Sequence, residues 1–190
     1  VDSYLPLTQT FVYQYLINHE CYQPFVCSTY SENLEKFEFE PRETFMELSR
    51  LNPRFWIDGV LKKLDIRDLG KTYYPRVISR REPDILHAHF GPIGASLSLC
   101  RTADRKLVTS FYGYDASQVV EADDKMRDTY QQLFERGDLF LVEGPAMREK
   151  LLNLGCPESK IAIQRIAIDL SRITPQYPSG DPPIRVLMVG

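Results

Sequence analysis

Two histidines, His87 and His89, flank one alanine in the stretch DILHAHFGP. Residues two apart on a strand point to the same face, so both imidazoles could bind one metal ion, line a cleft or pack in a core. A metal site needs further ligands, and the only other histidine, His19, lies at the end of a predicted helix. We therefore expect no metal, a structural hydrogen-bonded role for His87, and a cleft-facing role for His89 nearer the strand end. A metal-dependent hydrolase using both histidines is the least favoured alternative.

Other common catalytic patterns are missing from the sequence. It contains no G-x-x-x-x-G-K-[ST] loop, no G-x-G-x-x-G after a strand and no G-x-S-x-G elbow. The four cysteines are scattered without a C-x-x-C pair, which is typical of reduced thiols in a cytosolic protein.

The elements that position these residues alternate between strands and helices. We predict an α/β fold, a Rossmann-like parallel sheet with helices on both faces, because most strand runs are apolar on both faces. The predicted strands are Pro24–Tyr30, Ile85–Phe90, Leu107–Tyr112, Leu139–Glu143, Ile161–Ala167 and Ile184–Val189. The predicted helices include Thr8–His19, Arg54–Leu69 and Pro145–Leu154.

Four segments should meet at the carboxyl edge of this sheet, where open parallel sheets bind ligands. They are YLPLTQT from Tyr4, HAHFGPIG from His87, SFYGYDAS from Ser110 and VEGPAM from Val142. Each brings polar groups to one rim, and helix N-termini there favour anionic ligands.

Composition limits the partners and the domain organisation. A net charge of −3 and the lack of any recognisable module argue against nucleic acid, and no apolar run approaches the length that spans a bilayer. The chain begins at Val1 without Met and ends on PIRVLMVG, so we expect a fragment of a longer protein. We predict one domain over 1–173, a proline-rich linker over 174–183, and the first strand of a second domain over 184–190.

Two polar stretches have simple predicted roles. The acidic segment Ser31–Ser49 has weak periodicity and is interpreted as a surface excursion. The stretch Lys62–Arg81 is basic, which indicates a solvated helix face or, alternatively, a peripheral contact with an anionic membrane surface.

The ordered set of motifs resembles a known enzyme family. DILHAHFGPIGA, LVTSFYGYDAS, LFLVEGPAMREKLLNLGCPESKIAIQRIAIDL and IRVLMVG resemble the N-terminal half of retaining glycosyltransferases of the GT-B fold, in the large family-four group. YLPLTQTFVYQYL is similar to the first loop and helix of the exopolysaccharide and colanic-acid branch. The resemblance covers nearly the whole chain in order and spacing.

This resemblance implies a function for the chain. The N-terminal half would bind a saccharide or lipid-linked acceptor, and the C-terminal half would bind the nucleotide-sugar donor. The donor is a substrate, so no cofactor is implied. A cytoplasmic location, with or without peripheral contact at the inner face of the membrane, is also implied. In the family's sheet the first strand lies between those that correspond to Pro24–Tyr30 and Ile85–Phe90.

The resemblance also carries site residues over. His89, Tyr112 and Asp115 would take the catalytic positions, although many family members have a histidine where this chain has Tyr112, and a phenol is a poor base at neutral pH. The residues that would border the acceptor are Thr8, Gln9, Thr10, Phe90, Gly91, Gly113 and Glu143.

Simpler readings of these residues stay open. Tyr112 could have a purely structural role, packing at the strand end. Asp115 could simply cap the helix that follows it, and Thr8 and Thr10 could cap the first predicted helix. Phe11, Tyr13 and Tyr15 are interpreted as packing residues. With Tyr112 replacing histidine, a non-catalytic binding or scaffold domain is the main alternative to the enzyme.

Overall fold

A computed structural model describes residues 3–4, 9–47, 56–57, 60–61, 64, 69–166, 170 and 174–175. The predicted strand 184–190 lies outside these residues. Most of the predicted helix Arg54–Leu69 and of the linker 174–183 also lies outside them. All structural statements below concern the described residues.

Strands and helices alternate along most of the described chain. The strands are β1 Ser3–Tyr4, β2 Val26–Ser31, β3 Arg42–Glu47, β4 Ile85–His89, β5 Lys106–Phe111, β6 Leu139–Val142 and β7 Ile161–Ile163. The helices are α1 Thr10–Ile17, α2 Leu69–Arg81, α3 Gly91–Leu97, α4 Gln118–Ala122, α5 Asp124–Arg136 and α6 Pro145–Asn153. Among the described residues, no helix is long and apolar enough to cross a membrane.

All strand pairs described are parallel. They form two sheets, ordered β1-β2-β3 and β4-β5-β6-β7. Within the described residues β1 pairs with β2, which agrees with one of the two neighbours expected for the first strand. Helices cover both sides of the sheet, so the predicted Rossmann-like α/β fold is confirmed.

The main core lies on one face of β4–β7. Its largest fully buried side chains include Leu107 and Phe111 from β5 and Phe140 from β6. Tyr130 and Phe134 of α5 pack edge-on or tilted against the rings of Phe111 and Phe140, with centroids 5.1–6.3 Å apart. The burial of alternate residues on each strand turns the intervening residues toward the opposite face, where α1 lies.

Two glycines let α3 approach β5 closely. A Cβ atom at Gly94 would overlap with the Thr109 hydroxyl, and one at Gly91 would overlap with the Tyr130 hydroxyl. The FGPIG sequence therefore has a structural reason for both glycines, since no larger side chain fits under this helix.

The prediction of a surface excursion over Ser31–Ser49 is wrong for part of that segment. Arg42–Glu47 forms β3, paired with β2 from the register Val26–Arg42 onward. The charged residues of β3 hide its strand pattern in the sequence. In the structure Glu43 is paired with Arg80 and Arg81 of α2, at 2.6 and 2.7 Å. Charged side chains are common on strands at a sheet edge.

Candidate functional site

A hollow of about 250 Å³ lies on the sheet face that α1 partly covers. It is lined by Tyr15, His19, His87, Ser110, Phe111, Tyr112, Leu141, Glu143 and Gln164. Tyr112, Glu143 and Gln164 are each the first residue beyond β5, β6 and β7, respectively. The hollow therefore opens toward the carboxyl edge, where open parallel sheets bind ligands.

The register of β4 and β5 brings the two histidines to this face. His87 lies opposite Val108, and His89 lies opposite Ser110. Each histidine reaches diagonally to the residue two places beyond its partner: His87 Nε2 lies 2.8 Å from Ser110 Oγ, and His89 Nδ1 lies 2.6 Å from Tyr112 OH. The imidazoles stack on each other with centroids 4.5 Å apart.

The exposure of the two histidines is the reverse of the sequence expectation. His89 is only 8% exposed, whereas His87 is exposed and lines the hollow. His89 is covered because Tyr15 of α1 stacks over its ring, with centroids 6.3 Å apart. Desolvation lowers the pKa of both histidines, most strongly for the more deeply buried His89. Both imidazoles are therefore neutral at pH 7.

Tyr112 sits between aromatic rings and the histidines. The rings of Phe11 and Phe90 lie 4.7 and 5.0 Å from its ring centroid, and the His89 ring lies parallel to it. Burial raises the pKa of Tyr112, and a hydrogen bond with Ser110 opposes that shift only in part. The phenol is therefore protonated at neutral pH, and it is both a packing residue and a lining residue of the hollow.

Asp115 holds together the loops that follow β4 and β5. Its carboxylate is 1% exposed and accepts hydrogen bonds from the backbone N–H groups of Gly91, Tyr112 and Gly113 at 2.9–3.0 Å. Burial raises the pKa of Asp115, while these backbone bonds oppose the shift. The carboxylate faces backbone and not the hollow, so this geometry supports a positioning role and not direct contact with a substrate.

The two loops have unusual backbone conformations where Asp115 binds them. Phe90 has φ +75°, which is rare for a bulky residue, and Gly113 has φ +113°, which favours glycine. Strained residues persist only where surrounding contacts hold them. Here the carboxylate of Asp115 supplies such contacts beside both Phe90 and Gly113.

Glu143, which follows β6, lines the hollow on the side away from β4, the strand that carries both histidines. Its Oε2 accepts a hydrogen bond from the Ile166 backbone N–H at 3.0 Å, and its Oε1 has no hydrogen-bond partner among the described residues. The Tyr15 hydroxyl donates to the Arg165 carbonyl oxygen at 3.4 Å. These contacts tie α1 and the segment after β7 to the same site.

Sequence reasoning missed most of the residues that line the hollow, among them Tyr15, Ser110 and Gln164. Ser110 was recognisable, because it precedes Tyr112 by two positions and must share its strand face. The sequence analysis interprets Tyr15 as a packing residue, and no pattern in the sequence of α1 indicates that its ring covers His89. Gln164 falls inside the predicted strand Ile161–Ala167, which ends earlier, at Ile163.

The first predicted loop is only partly described. Thr8 lies outside the described residues. Gln9 occupies the N-cap of α1 without a side-chain capping bond, and Thr10 is the first helical residue, so the prediction that Thr10 caps the helix is wrong. Gln9 and Thr10 are half-buried and are not among the residues that line the hollow.

The described residues contain no group of three or more His, Cys, Asp or Glu placed to hold a metal ion. His87 Nε2 and His89 Nδ1 instead contact hydroxyl groups, as described above. The donor set thus gives no support to the hydrolase alternative.

A larger cavity, of about 460 Å³, lies at the amino ends of the strands. Three of its charged groups already have structural partners: Arg101 binds Asp138 at 2.8 Å, and Lys160 Nζ donates to the carbonyl oxygens of Phe134, Glu135 and Gly137. These contacts cap α5 and fix β6. The smaller hollow at the opposite edge is therefore the better candidate site.

Comparison with known proteins agrees with this architecture. The model of Glycosyltransferase Family 4 matches residues 26–172. A putative colanic acid biosynthesis glycosyltransferase of Escherichia coli K12 is 38% identical over 96 residues, covering 49% of this chain and 23% of that protein. An amylovoran biosynthesis glycosyltransferase of Erwinia amylovora is 29% identical over 154 residues, covering 75% of this chain and 38% of that protein.

The matched segment thus spans well under half the length of these relatives. The family match nevertheless includes every element from β2 to β7, together with all the residues that line the hollow except Tyr15 and His19. Because it covers most of the residues, the chain belongs to glycosyltransferase family 4.

Proposed function

We propose that this chain is the acceptor-binding half of a glycosyltransferase that acts in exopolysaccharide biosynthesis. The observation that carries the proposal is the hollow at the carboxyl edge, formed by loops within the family match. The names of the relatives, which refer to colanic acid and amylovoran, support the class of product.

The proposed reaction transfers a sugar, of the hexose class, from a nucleotide-sugar donor to a hydroxyl of a saccharide or lipid-linked acceptor. The anomeric configuration of the donor is retained, as the resemblance implies. Donor binding belongs to a second domain of the full-length protein, and no cofactor is proposed for this half. Positioning of the acceptor hydroxyl and stabilisation of the leaving diphosphate supply the catalysis.

The hollow supplies the groups that such an acceptor needs. Tyr112 and His87 present hydrogen-bonding atoms on one wall, and Glu143 presents a carboxylate on the other. Leu141 and Phe111 supply apolar lining suited to the carbon face of a sugar ring. Asp115 positions the two loops that carry Phe90 and Tyr112.

The test is a transfer assay with the full-length protein against a panel of nucleotide sugars, with release of the nucleoside diphosphate as the readout. We expect release that depends on a saccharide or lipid-linked acceptor, with proton NMR of the product showing the retained anomer. Glu143→Gln should raise the KM for the acceptor more than that for the donor. Lys125→Met, on the outer surface of α5, is the control. Failure of every donor to react in the presence of acceptor extracts would contradict the proposal.

Tyr112 favours one alternative, a domain that binds saccharide without catalysis, since many family members have histidine at this position. The alternative predicts saccharide binding by calorimetry with no turnover of any donor. The sequence of the second domain proposed above would also separate the two ideas, because a donor-binding domain of an enzyme needs basic residues for the diphosphate.

We also propose a cytoplasmic location with peripheral contact at the inner membrane face through the basic stretch 62–81. Two of its arginines, Arg80 and Arg81, already bind Glu43, so their contribution is reduced. Sedimentation of the full-length protein with anionic and with neutral vesicles tests this contact. Equal binding to both would contradict it.

A further inference from the structure

The side chains of His87, Ser110, Tyr112 and His89 form a polar network across β4 and β5. It contains two hydrogen-bonded pairs, His87 Nε2 with Ser110 Oγ at 2.8 Å and His89 Nδ1 with Tyr112 OH at 2.6 Å. Ser110 also acts on the phenol of Tyr112, where it opposes the rise in pKa caused by burial. The parallel register of β4 and β5 places each histidine diagonally opposite its hydroxyl partner, so the pairing of the strands fixes both histidine–hydroxyl contacts. The network runs from the exposed His87 in the hollow to the buried His89.

The protonation states restrict how this network is arranged. Both histidines are neutral because desolvation by the surrounding protein lowers the pKa of each, including that of His87, which keeps access to solvent in the hollow. Tyr112 is protonated because burial raises the pKa of its phenol. A neutral imidazole has one donor and one acceptor nitrogen, and a phenol or a serine hydroxyl has one proton. The contact between Tyr112 OH and His89 Nδ1 therefore has two possible arrangements: the phenol donates to an unprotonated Nδ1, or a protonated Nδ1 donates to the phenol oxygen.

We propose that His89 is a positioning residue that accepts the Tyr112 proton at Nδ1, so that the phenol oxygen is left to accept a hydrogen bond from an acceptor-saccharide hydroxyl in the hollow. In this arrangement Tyr112 OH donates to His89 Nδ1, and His89 carries its own ring proton on Nε2. The inference deepens the proposed function, on which its saccharide part rests.

Aromatic packing supports this role for His89. The imidazole is parallel to the Tyr112 ring, at an interplanar angle of 1°, and lies between Tyr15 and His87. The ring therefore cannot turn away without disturbing three neighbours. A group enclosed in this way holds its partner's hydroxyl in one direction, which is what a binding site for a specific hydroxyl requires.

The first experiment measures the tautomer directly by ¹⁵N NMR of the full-length protein with ring-labelled histidine. His87→Gln and His89→Gln assign the two signals. We expect His89 to carry its proton on Nε2 and an unprotonated Nδ1, whose signal shifts in Tyr112→Phe. Tyr22→Phe is the matched control, because Tyr22 is an exposed phenol outside the hollow. A protonated Nδ1 in His89, or an Nδ1 signal unchanged in Tyr112→Phe, would overturn the proposal.

The second experiment measures acceptor kinetics. Loss of one such hydrogen bond should lower kcat/KM for the acceptor roughly tenfold in Tyr112→Phe and in His89→Leu, with little change in the KM for the donor. His89→Asn should retain most of the activity, because its amide oxygen can take the place of Nδ1. The double variant Tyr112→Phe/His89→Leu should be no worse than Tyr112→Phe alone.

These outcomes separate the proposed role of His89 from the proposed function of the chain. Additive effects in the double variant, or equal losses in His89→Asn and His89→Leu, would show that His89 does not act through Tyr112. Urea unfolding of each variant identifies any loss that comes from the fold. If the wild-type protein transfers no sugar, the proposed function fails, and the NMR experiment still decides whether His89 accepts the Tyr112 proton.

Discussion

At the scale of single residues, Asp115 shows how a buried carboxylate can organise a site that it does not enter. One of its oxygens accepts from Tyr112 N and Gly113 N, and the other accepts from Gly91 N. Tyr130 of α5 donates from its hydroxyl to the Asp115 carbonyl oxygen at 2.8 Å, which ties the same turn to the core. Asp115 therefore ties the loop after β4 to the loop after β5.

Asp115→Asn should lower the free energy of unfolding by about 1–3 kcal/mol, because the amide group would face one of the backbone N–H donors. The measurement is the urea unfolding midpoint of the full-length protein. Asp104→Asn, in an exposed loop, is the control. An unchanged midpoint in Asp115→Asn would contradict the positioning role.

At the scale of elements, the contact between α3 and β5 is set by Gly94, which lies on the Thr109 side chain. Gly94→Ala should destabilise the protein by roughly 1–3 kcal/mol through overpacking. Gly94→Ala/Thr109→Ala should recover most of the loss, since the Thr109 hydroxyl is buried without a partner among the described residues. Thermal unfolding measures both. A double variant no more stable than Gly94→Ala would show that the clash is not with Thr109.

The carboxyl end of α5 depends on Lys160, which lies in the turn before β7. Its ammonium group donates to three carbonyl oxygens, at 2.7–2.9 Å, at the end of that helix. Lys160→Met should cost about 1–2 kcal/mol, because those carbonyl groups lose a charged donor at the negative end of the helix dipole. Chemical denaturation should show this loss for Lys160→Met and almost none for the exposed Lys125→Met. Equal effects of the two substitutions would argue against a capping role.

At the scale of the whole molecule, the cores formed by the described residues around the two sheets differ in size. The core around β4–β7 includes Phe111, Tyr130, Phe134 and Phe140, whereas the buried apolar residues described around β1–β3 are Tyr4, Val12 and Val26. Buried apolar area is the main source of stability, so the two regions should differ in local stability.

Hydrogen exchange of the full-length protein followed by mass spectrometry should show slower exchange in β5 and β6 than in β2 and β3. The strands compared are parallel and hydrogen-bonded in both regions, so the difference reports the packing of each core and not the presence of a ladder. Equal protection in both regions would show that they unfold as one cooperative unit.

The sequence by itself determined the fold class and the family. Apolar runs with strand period alternate with helical runs, and the HAHFG and SFYGYD motifs lie where strands β4 and β5 end. These features are local, because they depend on residue spacing along one element. The same alternation predicted that His87 and His89 share one face of the sheet, as Ser110 and Tyr112 do. It could not predict β3, whose charges are paired only after α2 packs beside it.

Only the tertiary structure decided which groups meet. The register of β4 and β5 selects the two histidine–hydroxyl pairs, and α1 decides that His89 is covered while His87 faces the hollow. The SFYGYD motif likewise does not reveal that the Asp115 carboxylate points toward three backbone N–H groups. The physical reason is that burial and hydrogen-bond partners come from segments far apart in the chain, whereas spacing along one segment fixes only which residues share a face.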